Sequence, residues 1–200
     1  QTLLDDPIEL RVGTVGQPLP NTEIKIIGED GHIVARGEPG ELCVRGYNVM
    51  RGYWGDPERT AKDIDAAHWI RTGDIATMDE SDYVRIVGRS KDMLIRGGEN
   101  IYPREIEEFL YTNPKIEQVE VVGVPDPKFG EEVAAWIKLH EGQAASEAEI
   151  REYCKGKLAH FKIPKYIRFV DAFPMTVTGK VQKYLIRESM AEELDHKKTA

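Results

Sequence analysis

The spacing of apolar residues changes character at Gly88, and this limits how the chain can fold. Upstream, short runs rich in β-branched and aromatic residues are broken by glycine and proline. The runs at 12–16, 23–27, 33–36, 41–45, 69–71, 75–78 and 83–87 read as strands. Glu29-Asp30-Gly31 reads as a hairpin turn, because glycine tolerates the positive φ required there. One helix interrupts this pattern: Asp56 is its cap, Pro57 fits the first helical position, and it runs to about residue 64. Downstream, strands and helices alternate. A strand at 93–96 is followed by a tight loop, Gly97-Gly98-Glu99-Asn100. A helix over 103–112 then places Ile106, Phe109 and Leu110 on one face. Strands follow at 119–124 and 133–139. Ser146 with Glu149 forms a capping box for a helix lined by Ile150, Tyr153, Cys154 and Leu158. A strand at 166–170, a glycine loop ending at Lys180 and a helix from about Gln182 complete the pattern. The polar tail from Asp195 is expected to fray. The reading is an α+β chain of two folding units joined by a short link at residues 88–91.

The chain has 200 residues, 40% of them hydrophobic, enough for one good core or two modest ones. A net charge of −8 argues against a whole-surface role on nucleic acid, which needs a dense basic footprint. No apolar run approaches the roughly 18 residues of a membrane span. The opening Gln1-Thr2-Leu3-Leu4-Asp5-Asp6 has no starter Met, basic region or apolar stretch, so it reads as no signal peptide and as a chain taken up midway. Cys43 and Cys154 are expected to be free thiols in a reducing compartment. Neither the five histidines nor the cysteines show metal-ligand spacing, so no metal site is expected.

Five segments, in order, carry chemistry. They are Gly40-Glu41-Leu42 with Gly46 and Gly52-Tyr53-Trp54; Trp69 to Asp74; Gly88-Arg89-Ser90-Lys91-Asp92; Gly97-Gly98-Glu99-Asn100-Ile101-Tyr102-Pro103; and Pro174 to Lys180. Together they resemble the adenylate-forming superfamily of acyl-CoA synthetases, luciferases and peptide-synthetase adenylation domains. Two residues depart from the usual pattern: Ile70 replaces an aromatic residue and Met175 a basic one.

The resemblance implies that residues 1–88 are the β-rich end of a large N-terminal domain, a distorted β-barrel. Residues 89–91 are then a hinge and residues 92–200 a small α+β lid that binds AMP. It implies an acid–thiol ligase that forms acyl-AMP from a carboxylic, fatty acid and ATP with Mg²⁺, then acyl-CoA from coenzyme A. The family's phosphate loop, its Thr-Glu segment and the acyl pocket would lie upstream of Gln1. The 200 residues alone are therefore expected to be inactive and to need the missing N-terminal part. The expected compartment is cytoplasmic, with the mitochondrial matrix as alternative. Rival readings are a peptide-synthetase adenylation domain and a non-catalytic nucleotide-binding or interaction module.

Each residue has a functional and a plain structural reading. Asp74 offers two acceptor oxygens to vicinal ribose hydroxyls, or is a turn aspartate satisfying local amides. Arg89 presents a planar fork to ribose or phosphate oxygens, or forms a strand-end ion pair. Lys91 stands where the resembling enzymes pivot, or is an exposed lysine. Gly97 and Gly98, with Glu99, match the loop that borders the pantetheine tunnel for the second half-reaction, or form a hairpin turn. Lys180 would bridge the attacking carboxylate and the α-phosphate, or is a surface lysine before a helix; the dipole disfavours a cation there. Composition alone marks Lys155, Lys157, Lys162, Lys165 and Arg168, a stretch without acids, as either an attractor for the phosphates of CoA or a solvated run. Tyr153, Phe161 and Tyr166 nearby read as core.

Overall fold

The computed structural model describes the backbone of residues 1–199 and the side chains of residues 1–195. The chain forms two compact units, residues 1–91 and 92–200. The first begins with a short helix, α1 (Ile8–Gly13), which takes up residues 12 and 13 of the strand expected at 12–16; beyond it the Val15 amide donates to the Val84 carbonyl at 2.8 Å and Gly16 bridges antiparallel to Val84. Pro7 is the cap, Glu9 lies in the first turn and Arg11 in the last, so the local signals for a helix turn outweigh the β-branched Ile8 and Val12 within it. Four strands follow: β1 (Thr22–Ile27), β2 (Gly40–Gly46), β3 (Ile70–Met78) and β4 (Val84–Arg89), with α2 (Pro57–Asp63) between β2 and β3. They pair antiparallel in sequence order as an open sheet, so among the described residues the barrel implied by the resemblance is not closed. Ile26, Leu42, Ala76 and Val84 form the core of this sheet. The segment at 33–36, expected to be a strand, contributes only a single bridge from Ile33 to Ile27 beyond the tight turn of Gly31. Asp56 caps α2 as expected, its Oδ1 accepting the Arg59 amide at 2.9 Å.

A 3-10 turn (Ser90–Asp92) spans the boundary, and the second unit opens with the hairpin of β5 (Leu94–Arg96) and β6 (Glu99–Ile101). It continues with α3 (Pro103–Leu110), β7 (Ile116–Asp126), β8 (Gly130–Leu139), α4 (Glu147–Cys154), β9 (Tyr166–Phe169) and α5 (Lys183–Thr199). The strand order is β6-β5-β8-β7, with β9 parallel to β8. Alternation in β7 and β8 explains the apolar run, because both faces are covered. Val119, Val121, Val133, Ala135 and Ile137 meet Ile106 and Leu110 of α3 and Ile150 and Cys154 of α4. Val122, Val124, Ala134 and Trp136 meet Phe173 and Ile186 and Met190 of α5. Each fully buried Val, Leu or Ile side chain among these contributes roughly 1.5–3 kcal/mol. The Ser146–Glu149 capping box forms in both directions. The expected fraying from Asp195 falls mainly on side chains outside the described residues; the backbone there is helical to Thr199. Both cysteines are free and buried, and burial pushes the Cys154 thiol up to about 11. Among the described residues no helix is long and apolar enough to cross a membrane.

Candidate active site

In the first unit the sheet brings Asp74 and Arg89 together. Trp69 to Asp74 was expected to end one strand before another began, but β3 runs through it. Between the pairs Glu41↔Ile75 and Cys43↔Arg71, β2 advances two residues while β3 spends four. The surplus is a bulge at Thr72-Gly73-Asp74, for which Gly73 adopts φ +73°. The Thr72 hydroxyl pins the bulge by donating to the Leu42 carbonyl at 2.9 Å and accepting the Asp74 amide at 3.1 Å. Asp74 is thereby paired in register with Arg89 at the end of β4, whose Nε donates to Asp74 Oδ1 at 3.1 Å. With 28% and 58% of their side chains exposed, both groups can be reached by a ligand. Trp69, at the base of the motif, lies under Lys25 Nζ at 4.3 Å and the Arg45 guanidinium at 4.7 Å. A cleft of about 1080 Å³ opens beside the bulge and includes Tyr53, Arg71, Thr72, Gly73, Arg89 and Lys91 in its walls. Its lining mixes carboxylates with guanidinium and ammonium groups, a wall suited to a polar ligand. Lys91 is exposed within the 3-10 turn that follows β4.

In the second unit Gly97 and Gly98 are the two central residues of the β5–β6 hairpin, with φ +60° and +91°. Two positive φ values are what a two-residue hairpin turn of the inverse type requires. The turn is shorter than expected: Glu99 and Asn100 belong to β6. The Gly97 amide donates to the Phe129 carbonyl at 2.9 Å, so the hairpin is tied to the β7–β8 turn. Arg96, next to Gly97, pairs with the buried Glu132 and stacks over the Phe129 ring at 4.2 Å. Lys180 lies exposed after Gly179, which has φ +79°. Its loop is closed internally. The Gln182 amide donates to Pro174 O at 2.8 Å, and Thr176 and Lys180 join through Thr176 N–H to Lys180 O at 2.8 Å and Lys180 N–H to Thr176 Oγ1 at 3.0 Å. Lys180 and Gly97-Gly98 occupy separate loops of this unit.

The basic stretch is corrected by the structure: acids absent from that part of the sequence arrive from other elements. Lys162 pairs with Glu105 at 2.7 Å, Lys165 with Asp126 at 2.9 Å and Arg168 with Glu193 at 2.7 Å, while Lys155 pairs with Glu152. Lys157 lies over the Tyr153 ring at 4.7 Å. The stretch is therefore neither a bare phosphate attractor nor a purely solvated run. Phe161 and Tyr166, partly buried, pack against the two cores as expected, whereas Tyr153 belongs to neither core and meets Phe109 at its margin, 5.2 Å between tilted rings.

Two ion clusters were missed by sequence reading. One joins Arg96, Glu132, Lys165 and Asp126; the other joins Lys183, Glu107 and Glu120. A signal was present for one of them: Glu120 interrupts the apolar run of its strand, and a buried carboxylate needs a cation. Among the described residues no three His, Cys, Asp or Glu side chains converge to hold a metal ion.

Comparison with known proteins agrees with the order of these elements. Residues 2–54 match the family model described as AMP-binding enzyme, and residues 105–180 match that of the AMP-binding enzyme C-terminal domain. YngI of Bacillus subtilis, which carries an acyl-CoA synthetase name, is 58% identical over 96% of this chain and 35% of its own length. Medium-chain acyl-CoA ligase ACSF2, mitochondrial, of Rattus norvegicus is 51% identical over 95% of this chain and 31% of its own. The crystal structure of ATP-bound MatB from Rhodopseudomonas palustris superposes with a TM-score of 0.83 at 40% identity, over 88% of this chain and 35% of that one. The chain thus spans about a third of the length of the curated relatives it matches. With one family model in each unit and acyl-CoA ligases among its relatives, the chain belongs to the AMP-dependent, adenylate-forming ligase superfamily.

Proposed function

We propose that this chain is the C-terminal portion of an AMP-forming carboxylate–CoA ligase acting on a fatty acid of medium length. The observation that carries the reading is the Asp74–Arg89 pair, held on a glycine bulge beside a polar cleft. In this reading Asp74 accepts hydrogen bonds from the ribose hydroxyls and Arg89 is drawn to ribose or phosphate oxygens. Lys180 holds the carboxylate of the acid against the α-phosphate of ATP. A carboxylate oxygen attacks that phosphorus, the bond to the β-phosphate oxygen breaks, and pyrophosphate leaves. The Lys180 ammonium offsets the charge that develops during this displacement. In the second step the CoA thiolate attacks the acyl carbonyl of the mixed anhydride and AMP departs. The Gly97-Gly98 turn, with Glu99 beside it, faces this second step after the second unit turns at Lys91.

Mg²⁺ offsets triphosphate charge in such reactions, but the described residues supply no cluster of ligands for it. In this reading the ion arrives with the nucleotide and is held by residues outside this chain. The CoA reading rests on the Gly97-Gly98 turn and the named acyl-CoA ligase relatives, because the basic stretch is paired off. The cytoplasm or the mitochondrial matrix suits two unpaired thiols, and one similar ligase is mitochondrial by name while another relative is bacterial.

The test uses the intact protein that contains this segment, supplied with medium-chain acid, ATP, Mg²⁺ and CoA. AMP and acyl-CoA are expected in equal amounts. Formation of ADP and phosphate would contradict an adenylate route, and AMP without thioester would favour a carrier-domain acceptor.

A further inference from the structure

We propose that Lys183 is a positioning residue that fixes the orientation of the Lys180 loop by clamping the first residue of α5 to α3 and β7. The inference rests on the assignment of Lys180 made above. The first turn of α5 holds no acid, yet a lysine occupies its first position, where the helix dipole opposes a cation. Something else must hold that charge. Lys183 Nζ lies 2.5 Å from Glu107 Oε1 on α3, 3.3 Å from Glu120 Oε2 on β7 and 3.4 Å from the Val121 carbonyl. Glu107 Oε1 also accepts the Val121 amide at 2.8 Å, so the same oxygen ties α3 to β7. The three side chains are only 25%, 14% and 14% exposed. Burial alone would disfavour the charge on Lys183, and Glu107 and Glu120 outweigh it, leaving the lysine pKa above its ordinary value.

The consequence concerns the loop. Its internal hydrogen bonds close residues 174–182 on themselves, so the loop is stiff but needs anchoring at its two stems. Phe173 provides one stem, buried against the second core. On the other stem Val181 is only partly buried and Tyr184 is 57% exposed, and the first fully buried residue of α5 is Ile186. Lys183 is the polar anchor between them. Because α3 follows the Gly97-Gly98 hairpin in the chain, the clamp also joins the element behind one proposed loop to the other.

Two measurements test this. Amide hydrogen exchange of the 200-residue chain, read by NMR, is expected to quicken about tenfold at Gly179, Lys180 and Gln182 in Lys183→Met, the size of one lost charge-assisted bond. Amides of Val122 and Ile137 should be unchanged. Glu107→Gln, which keeps the lysine and its second carboxylate, should give a smaller change at the same amides. Unaltered exchange at the loop, or equal acceleration throughout the second unit, would overturn the positioning role. In the intact ligase, Lys183→Met should lower kcat for acyl-adenylate formation roughly ten- to a hundredfold with little change in KM for ATP, and Lys183→Arg should recover most of it. Loss in Lys180→Ala but not in Lys183→Met would overturn the clamp and leave the Lys180 reading standing. Full acyl-adenylate formation in both variants would overturn both.

Discussion

Asp126→Asn should destabilise the second unit at neutral pH and do so progressively less in acid. Asp126 is 8% exposed at the β7–β8 turn. Its Oδ1 accepts the Lys128 and Phe129 amides at 2.9 and 3.0 Å, and its Oδ2 accepts from Lys165 Nζ at 2.9 Å. Lys165 first, and then the two amides, hold its pKa down at about 2 from an ordinary value of 3.8. A carboxylate whose pKa is lower in the folded state adds stability above its unfolded pKa and loses it as pH falls through the folded one. The contribution is therefore complete above about pH 4 and fades toward pH 2. Linkage between the two values caps it at about 2.4 kcal/mol. Lys165 has 46% of its side chain exposed, so solvent screening reduces the expected value to about 1–2 kcal/mol. The amide replacement keeps Oδ1 as acceptor for the turn, so the loss isolates the charge. Urea unfolding followed through NMR signals of β7 and β8, at pH 7 and at steps down to pH 2, checks it. In a roughly hundred-residue unit each 1 kcal/mol also lowers Tm by about 4–8 °C. Equal stability of both proteins at pH 7, or a gap that does not narrow by pH 2, would refute the argument.

Two further outcomes follow from the sites. In the intact protein, on the proposed function, Asp74→Ala should weaken ATP binding by roughly 1.5–3 kcal/mol, the worth of hydrogen bonds to a charged group. Unchanged affinity in calorimetry would remove Asp74 from the ribose site. Lys162→Glu should destabilise the second unit by about 1 kcal/mol through loss of the half-buried Glu105 pair, while KM for CoA stays the same. Thermal unfolding and steady-state kinetics check this, and a salt-dependent rise in KM for CoA would return the basic stretch to a phosphate-binding role.

The fold was legible where periodicity and caps were strong. The apolar faces of α3 and α4, the Asp56 cap and the Ser146–Glu149 box are local features and appear where the residues placed them, except that α4 ends at Cys154 and Leu158 packs on the core from beyond the helix. What failed depended on pairing across the chain. The segment at 33–36 has the composition of a strand but finds only one bridge, and of the strand expected at 12–16 only Val15 and Gly16 pair, with Val84, because α1 takes residues 12 and 13. The continuity of β3 through Thr72-Gly73-Asp74 was hidden for the same reason, since a bulge is defined by the partner strand. Among the candidate residues, Asp74, Arg89 and Lys180 could be singled out as residue types in ordered motifs. Their surroundings could not: Glu105, Asp126 and Glu193 reach the basic stretch from positions up to 57 residues away, and Glu107 reaches Lys183 across 76. Charge pairing in three dimensions erased a pattern that was real in one.

The central claim is that Lys180 serves the adenylation step while the Gly97-Gly98 turn serves the thioester step. Single-turnover kinetics of each proposed half-reaction in the intact protein carrying Lys180→Ala test it most directly. Removing one electrostatic contact from the displacement transition state should slow acyl-adenylate formation by on the order of 10²–10³. Thioester formation from supplied acyl-adenylate and CoA should stay close to the unmodified rate. Equal loss of both half-reactions in a normally folded variant would contradict the account.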